Sequence, residues 1–180
     1  MIISGTKIKQ EIQSKRIIID PFFERDINPA SIDLRLGNRV IQYAPDVLLD
    51  PFKENKTLEY EFNHKIVLQP GQLYIMHTVN RVCTDNYVQI IDGKSTLGRL
   101  GLTIHVTAGY GDPGFCGQYT LEVTCVRPIV LYENMRICQV RFQEIKGKTI
   151  LYSNNGRYVG GKANGPVSAI PLKKDQPNLK

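Results

Sequence analysis

No apolar run in this 180-residue chain approaches the length needed to cross a bilayer. The opening Met1-Ile2-Ile3-Ser4-Gly5-Thr6-Lys7 has no basic segment leading into a long apolar stretch, so we expect no signal peptide and a soluble, cytoplasmic protein. Cysteine is scarce. Cys83, Cys116, Cys125 and Cys138 form no Cys-x-x-Cys pair and sit among apolar or β-branched neighbours, which predicts four reduced core thiols. No internal repeat is visible, and 180 residues leave little room for a second independent domain.

What is present is a 42% hydrophobic chain with 23 basic against 17 acidic side chains, a formal charge of +6 and a pI of about 9.1. That balance suits an anionic ligand or nucleic acid, or only a solubilising surface. Ile8 and Ile12 recur at helical spacing within Lys7–Lys15, and Ser4 or Thr6 can cap the helix. From Ser31 onward short strands alternate with turn residues. The candidates are Ile32–Leu36, Lys65–Leu68, Leu73–His77, Tyr87–Ile91, Leu102–Thr107, Gln118–Thr124, Ile129–Leu131 and Arg136–Phe142. Such spacing predicts an all-β sandwich or closed barrel over residues 1–152. Residues 153–180, with Asn-Gly, Gly-Gly and Lys-Lys pairs, cannot bury a core and read as a mobile tail, or as a lid carrying Tyr152, Arg157, Tyr158 and Lys162.

The densest chemistry lies between Gly93 and Glu122. Asp92-Gly93-Lys94-Ser95-Thr96-Leu97-Gly98-Arg99-Leu100-Gly101 offers two cations, two hydroxyls and three glycines directly after an apolar strand. Glycines let backbone N–H groups approach phosphate oxygens, and Lys94 and Arg99 add charged donors. The residue order is not that of a P-loop, and an ordinary basic hairpin is the plainer alternative. Asp112 opens a Pro-Gly turn, and Glu122 sits inside an apolar strand with Thr120 and Thr124 on its face, opposite Leu121 and Val123.

Together, Lys94–Leu102, Thr107-Ala108-Gly109, Asp112–Phe115 and Thr120-Leu121-Glu122 closely resemble the dCTP deaminase family, a branch of the trimeric dUTPase-like superfamily. Asn28–Leu36 resembles its first motif and Met135-Arg136-Ile137-Cys138-Gln139 its later strand motif. The resemblance implies a distorted jelly roll (β-clip, dUTPase-like) with a short N-terminal helix and flexible C-terminal tail, assembled as a homotrimer with shared active sites. It assigns catalysis to Glu122, Ser95 and Arg99. Glu122 shuttles a proton between the attacking water and the departing ammonia, Ser95 and the Ala108 carbonyl hold the water, and Arg99 orients the carboxylate. Lys94, Ser95 and Thr96 would grip the triphosphate with its Mg²⁺, Leu97, Gly98 and Arg99 would line the substrate site beside them, Asp112 would bind the sugar 3′-hydroxyl, and the backbone of Thr120 and Leu121 the base edge. Gln139, Tyr152, Arg157 and Lys162 match further ligand positions, with Arg157 where a lysine is usual. Cys125 and Cys138 replace an asparagine and a glycine common in the family.

Zinc-dependent cytosine deamination uses His-x-Glu and Pro-Cys-x-x-Cys, and neither occurs here, so the expected reaction is zinc-free and the expected role of His64, His77 and His105 is packing. The product question stays open between dUTP and, through a bifunctional enzyme, dUMP with diphosphate. Thr107-Ala108-Gly109, without a bulky residue after the alanine, resembles the bifunctional members. A dUTP diphosphatase using Asp112 and a non-catalytic nucleotide-binding regulator are the rival readings. Feedback by dTTP is a family trait, and neither nucleic acid nor membrane is an expected partner.

Overall fold

The computed structural model describes residues 1–105, 107–158 and 165–172. Helix α1 (Gly5–Gln13) opens the chain, and Ser4 caps it by accepting the Lys7 N–H on its hydroxyl. Ile8 is fully buried and Ile12 packs against the core, one turn apart on a single face. Glu11 is buried on the same helix, with Lys7 Nζ 2.8 Å from Oε1 and Arg16 Nε 3.0 Å from Oε2.

The strands follow as β1 (Ile18–Asp20), β2 (Ile32–Arg35), β3 (Arg39–Tyr43), β4 (Thr57–Glu61), β5 (Lys65–Leu68), β6 (Tyr74–Cys83) and β7 (Tyr87–Gly93). Then come helix α2 (Ser95–Arg99), β8 (Leu102–Thr103), β9 (Tyr110–Gly111), β10 (Cys116–Cys125), β11 (Ile129–Tyr132), β12 (Arg136–Glu144) and helix α3 (Tyr152–Asn155). A larger sheet runs β4-β3-β6-β10-β8 with β1 also on β6; a second runs β2-β12-β7-β9; β5 pairs with β11. Both larger sheets are open, so the closed barrel that the strand spacing allowed does not form. Between them lies the core of Ile32, Leu34, Ile91, Val140 and Phe142 with Met76, Val82, Leu121 and Val123. Each such side chain stabilises the fold by roughly 1.5–3 kcal/mol when fully buried.

Strand β6 runs to Cys83, well beyond the His77 limit read from the sequence. Its second half, Thr78 to Arg81, looks like a loop because it is polar. Asn80 is nevertheless buried, receiving the Arg35 N–H on Oδ1 at 2.7 Å and donating to the Pro21 carbonyl at 2.6 Å. Thr78 likewise takes the Tyr119 N–H at 2.9 Å. Polar residues thus serve a central strand because distant backbone groups satisfy them.

The expectation of four reduced thiols is wrong for two of them. Cys83 and Cys116 are joined by a disulfide, because the β6–β10 register puts them directly opposite each other with 4.1 Å between Cα atoms. Their apolar neighbours reflect strand membership, not isolation in a core. Thiol counting therefore gives no support for a reducing compartment. Cys125 and Cys138 are free and buried as expected, and burial raises both thiols above their ordinary value. No helix among the described residues is long and apolar enough to cross a membrane.

Of the tail, residues 165–172 lie along the large sheet. Gly165 N–H donates to Gln118 Oε1 (2.7 Å), Val167 N–H to Thr120 Oγ1 (3.2 Å), and Leu172 N–H to the Pro51 carbonyl (2.7 Å). Polar composition thus did not prevent this stretch from being held by backbone donors.

Candidate active site

Strand β7 delivers Gly93, after which extended Lys94 starts α2 and Gly98 N–H closes its turn on the Lys94 carbonyl at 2.9 Å. The loop or hairpin expected here is a five-residue helix. It was invisible in the sequence because it spans little more than one turn and contains Gly98, so no apolar period can develop. Ser95, Thr96, Gly98 and Arg99 are exposed, while Leu97 leans on the core.

Across the four-stranded sheet, Asp33 pairs with Gln139 and Gln139 with Asp92. Cross-strand partners share a face, and Lys94, two residues past Asp92, returns to it. Lys94 Nζ donates to Asp33 Oδ1 at 2.6 Å, and Asn28 Nδ2 donates to the same oxygen at 2.8 Å. Ser31 Oγ donates to Gln139 Oε1 at 2.6 Å, while Gln139 Nε2 donates to the Gly93 carbonyl at 2.9 Å. The strand end that launches α2 is therefore tied to β2 through Gln139. Arg136 Nη1 lies 3.5 Å from the other Asp33 oxygen.

On β10, Leu121 and Val123 enter the core, while Thr120, Glu122 and Thr124 are half-buried on the opposite face. The β8 pairing brings Thr103 opposite Thr124, so the segment leaving α2 runs beside the Glu122 end of the strand. Burial raises the Glu122 carboxyl above its ordinary value by penalising the charged form, with nearby His105 pulling it the other way. His105 Nε2 lies 2.7 Å from the Ile91 carbonyl, and a Cβ on Gly109 would sit 2.2 Å from the imidazole Cε1. The ring thus occupies the space that a side chain at 109 would need. Ala108 is exposed beside it. Among the described residues, no hydrogen bond or ion pair joins Ser95 or Arg99 to Glu122.

Asp112 is exposed, and its carbonyl accepts the Phe115 N–H at 3.0 Å across a turn whose Gly114 has φ +85°. Tyr152 N–H donates to the Pro113 carbonyl at 2.7 Å, and its ring meets Phe115 edge-on at 6.0 Å. Tyr152 thereby belongs to the Asp112 turn. Thr120 and Leu121 fall on β10 as read, with the Thr120 hydroxyl holding Val167 N–H. Arg157 Nη2 donates to the carbonyls of Ile170 (3.0 Å) and Pro171, so it binds the tail itself. Lys162 lies outside the described residues.

Residues 2–145 match the family model described as dCTP deaminase-like. The chain belongs to the dCTP deaminase-like family. A relative from Clostridium acetobutylicum, named "dCTP deaminase, dUMP-forming", is 44% identical over 92% of this chain and 95% of its own. One of the same name from Hathewaya histolytica is 43% identical over 88% and 91%. In structure, the chain resembles the 2′-deoxycytidine 5′-triphosphate deaminase of Agrobacterium tumefaciens with a TM-score of 0.63 and 22% identity, over 80% of this chain and 48% of that one. That likeness shows the fold that the motifs led us to expect.

Within this dCTP deaminase-like chain, the fold joins Lys94 to Gln139, and Asp112 to Tyr152, as neighbours of two separate clusters. Three contributors went unread. Asp33 and Arg136 fall within the Asn28–Leu36 and Met135–Gln139 motifs but carry no site role in the sequence reading, although Asp33 and Arg35 alternate with apolar neighbours and so share a polar face. His105 was assigned to packing, yet its imidazole lies close enough to Glu122 to influence it; no local pattern could reveal that proximity.

Proposed function

We propose that this chain hydrolytically deaminates dCTP to dUTP and ammonia, then hydrolyses dUTP to dUMP and diphosphate. The observation that carries the first step is Glu122: a half-buried carboxyl, raised by burial, on the strand face beside the segment leaving α2. A carboxyl tuned upward can take a proton from water as it adds to cytosine C4 and pass it to N3, then move the remaining proton of the new C4 hydroxyl to the amine as the C4–N bond breaks, leaving the C4 carbonyl and ammonia. Ser95 and the Ala108 carbonyl hold that water, and Arg99 orients Glu122. Asp112 receives the sugar 3′-hydroxyl, while the backbone of Thr120 and Leu121 reads the base edge. The second step is supported by the dUMP-forming names of relatives that align along most of the chain.

Ser95 and Arg99 are exposed and have no partner in Glu122 within one chain, which favours a homotrimer whose copies complete each other's sites. Among the described residues, no three His, Cys, Asp or Glu side chains group as a metal site. We assign Mg²⁺ to the nucleotide by its chemistry: it would enter on the triphosphate, neutralising charge beside Lys94 and the hydroxyls of Ser95 and Thr96. No zinc is required by this reading, and dTTP would compete for the same pocket.

The test is product analysis with Mg²⁺ on dCTP and dUTP separately. We expect ammonia, dUMP and diphosphate from dCTP. Persistent dUTP would remove the second step. Tight dCTP binding without ammonia would make the chain a regulator, and activity on dUTP alone a diphosphatase.

A further inference from the structure

Two cations converge on one buried carboxylate at the edge of the proposed phosphate subsite, and only one of them, Lys94, belongs to the motif that marks it. Asp33 is 1% exposed, although it lies on the polar face of its sheet. Its Oδ1 is saturated by Lys94 and Asn28. Its Oδ2 is inaccessible and accepts no hydrogen bond. Arg136 Nη1 lies 3.5 Å from that oxygen, with half of the side chain exposed. A buried carboxylate oxygen left this way is costly, so the site gains when Arg136 closes onto it.

Arg136 is opposite Arg35 in the β2–β12 register, where a bulge separates it from Cys138. Arg35 does not compete for Asp33, because its guanidinium is occupied by Asp26 (Nε to Oδ2 3.0 Å, Nη2 to Oδ1 2.9 Å). Arg35 thus has Asp26 to itself, while Lys94 and Arg136 share Asp33. Lys94 and Arg136 together carry two positive charges against the single negative charge of Asp33, leaving the cluster net cationic next to the Ser95 and Thr96 hydroxyls.

We propose that Asp33 is the positioning residue of the phosphate subsite, and that by holding Lys94 and Arg136 on its two oxygens it makes Arg136 a second phosphate-binding cation. The proposal rests on reading this site as one for a nucleoside triphosphate. Lys94 is pre-organised as a point charge, while Arg136 offers a planar fork for phosphate oxygens. Asp33 touches no substrate and acts only through these two side chains.

Steady-state kinetics and direct binding of dCTP, with deoxycytidine as the phosphate-free probe, decide it. Arg136→Gln should raise KM and Kd for dCTP about tenfold, the loss of one charged contact. It should leave kcat and deoxycytidine binding unchanged and flatten the salt dependence of Kd, and Arg136→Lys should restore most of the affinity. Asp33→Asn should raise KM for dCTP by a similar factor without moving kcat. Unchanged or tighter dCTP binding in Arg136→Gln overturns the proposal, and because that residue is half exposed the variant stays informative if Asp33→Asn fails to fold. An equal loss for deoxycytidine would also overturn it, showing a structural role. If the wild-type chain neither binds nor deaminates dCTP, the underlying functional reading falls and takes this assignment with it; an active wild type with indifferent variants sinks the assignment alone.

Discussion

Cys83 and Cys116 stand opposite each other across β6 and β10, covalently joined at the base of the strand that carries Glu122. Arg81 Nη2 donates to Cys116 Sγ at 2.8 Å beside the bridge. The link closes a loop 33 residues apart in sequence, which by chain entropy is worth about 3–4 kcal/mol. Reductant should therefore lower the urea midpoint of the wild type, and Cys83→Ser should match the reduced protein and ignore reductant. Alkylation of the denatured, unreduced chain should label two thiols; four labels would show that the bridge does not form.

Glu122→Gln should abolish ammonia release, with a fall of at least about 10³-fold, while dCTP still binds. In the wild type the carboxyl must be ionised to accept the first proton. Because burial raises Glu122 above its ordinary 4.5, kcat/KM should rise with pH through a limb lying above that value. A limb at or below 4.5 would assign the proton transfer to another group.

Gly109→Ala should slow deamination by roughly tenfold through displacement of His105, since a Cβ there meets the imidazole at 2.2 Å and the Ile91 carbonyl at 2.9 Å. Rates at saturating dCTP, together with a melting curve to score folding, check this. Full activity in the alanine variant would mean that the ring has free space elsewhere.

Glu11 is a buried acid whose carboxyl is lowered first by the hydrogen bond from Lys7, against the opposing effect of burial. A lowered folded value means stability that is present above the ordinary 4.5 and is lost as pH falls through the folded value. Glu11→Gln should cost about 1–3 kcal/mol at neutral pH and reduce the acid sensitivity of unfolding below pH 4.5. Denaturation midpoints at pH 7 and pH 4 measure both effects, and equal losses at the two pH values would contradict the assignment.

The stretch from Gly93 to Glu122 shows how far linear reading reaches. Alternation in Thr120–Thr124 correctly divided β10 into a core face and a polar face, because a strand's period of two is written in its own residues. The Ser4 cap with Ile8 and Ile12 predicted α1 for the same local reason, one turn of helix being short in sequence. Grouped motifs around Lys94, Asp112 and Glu122 carried the family, since each is a contiguous set of residue types. Other features were hidden because their causes lie far apart along the chain. Polar Thr78 and Asn80 extend β6 only because Tyr119, Arg35 and Pro21 satisfy them. Cys83 meets Cys116 through strand register, His105 reaches Glu122 through the fold, and Lys94 meets Asp33 across 61 residues. Local sequence determined which segments could be strands, helix or site motif. Tertiary structure alone decided which charges and thiols became neighbours, because hydrogen bonds and ion pairs act over a few ångströms of space however many residues separate the partners.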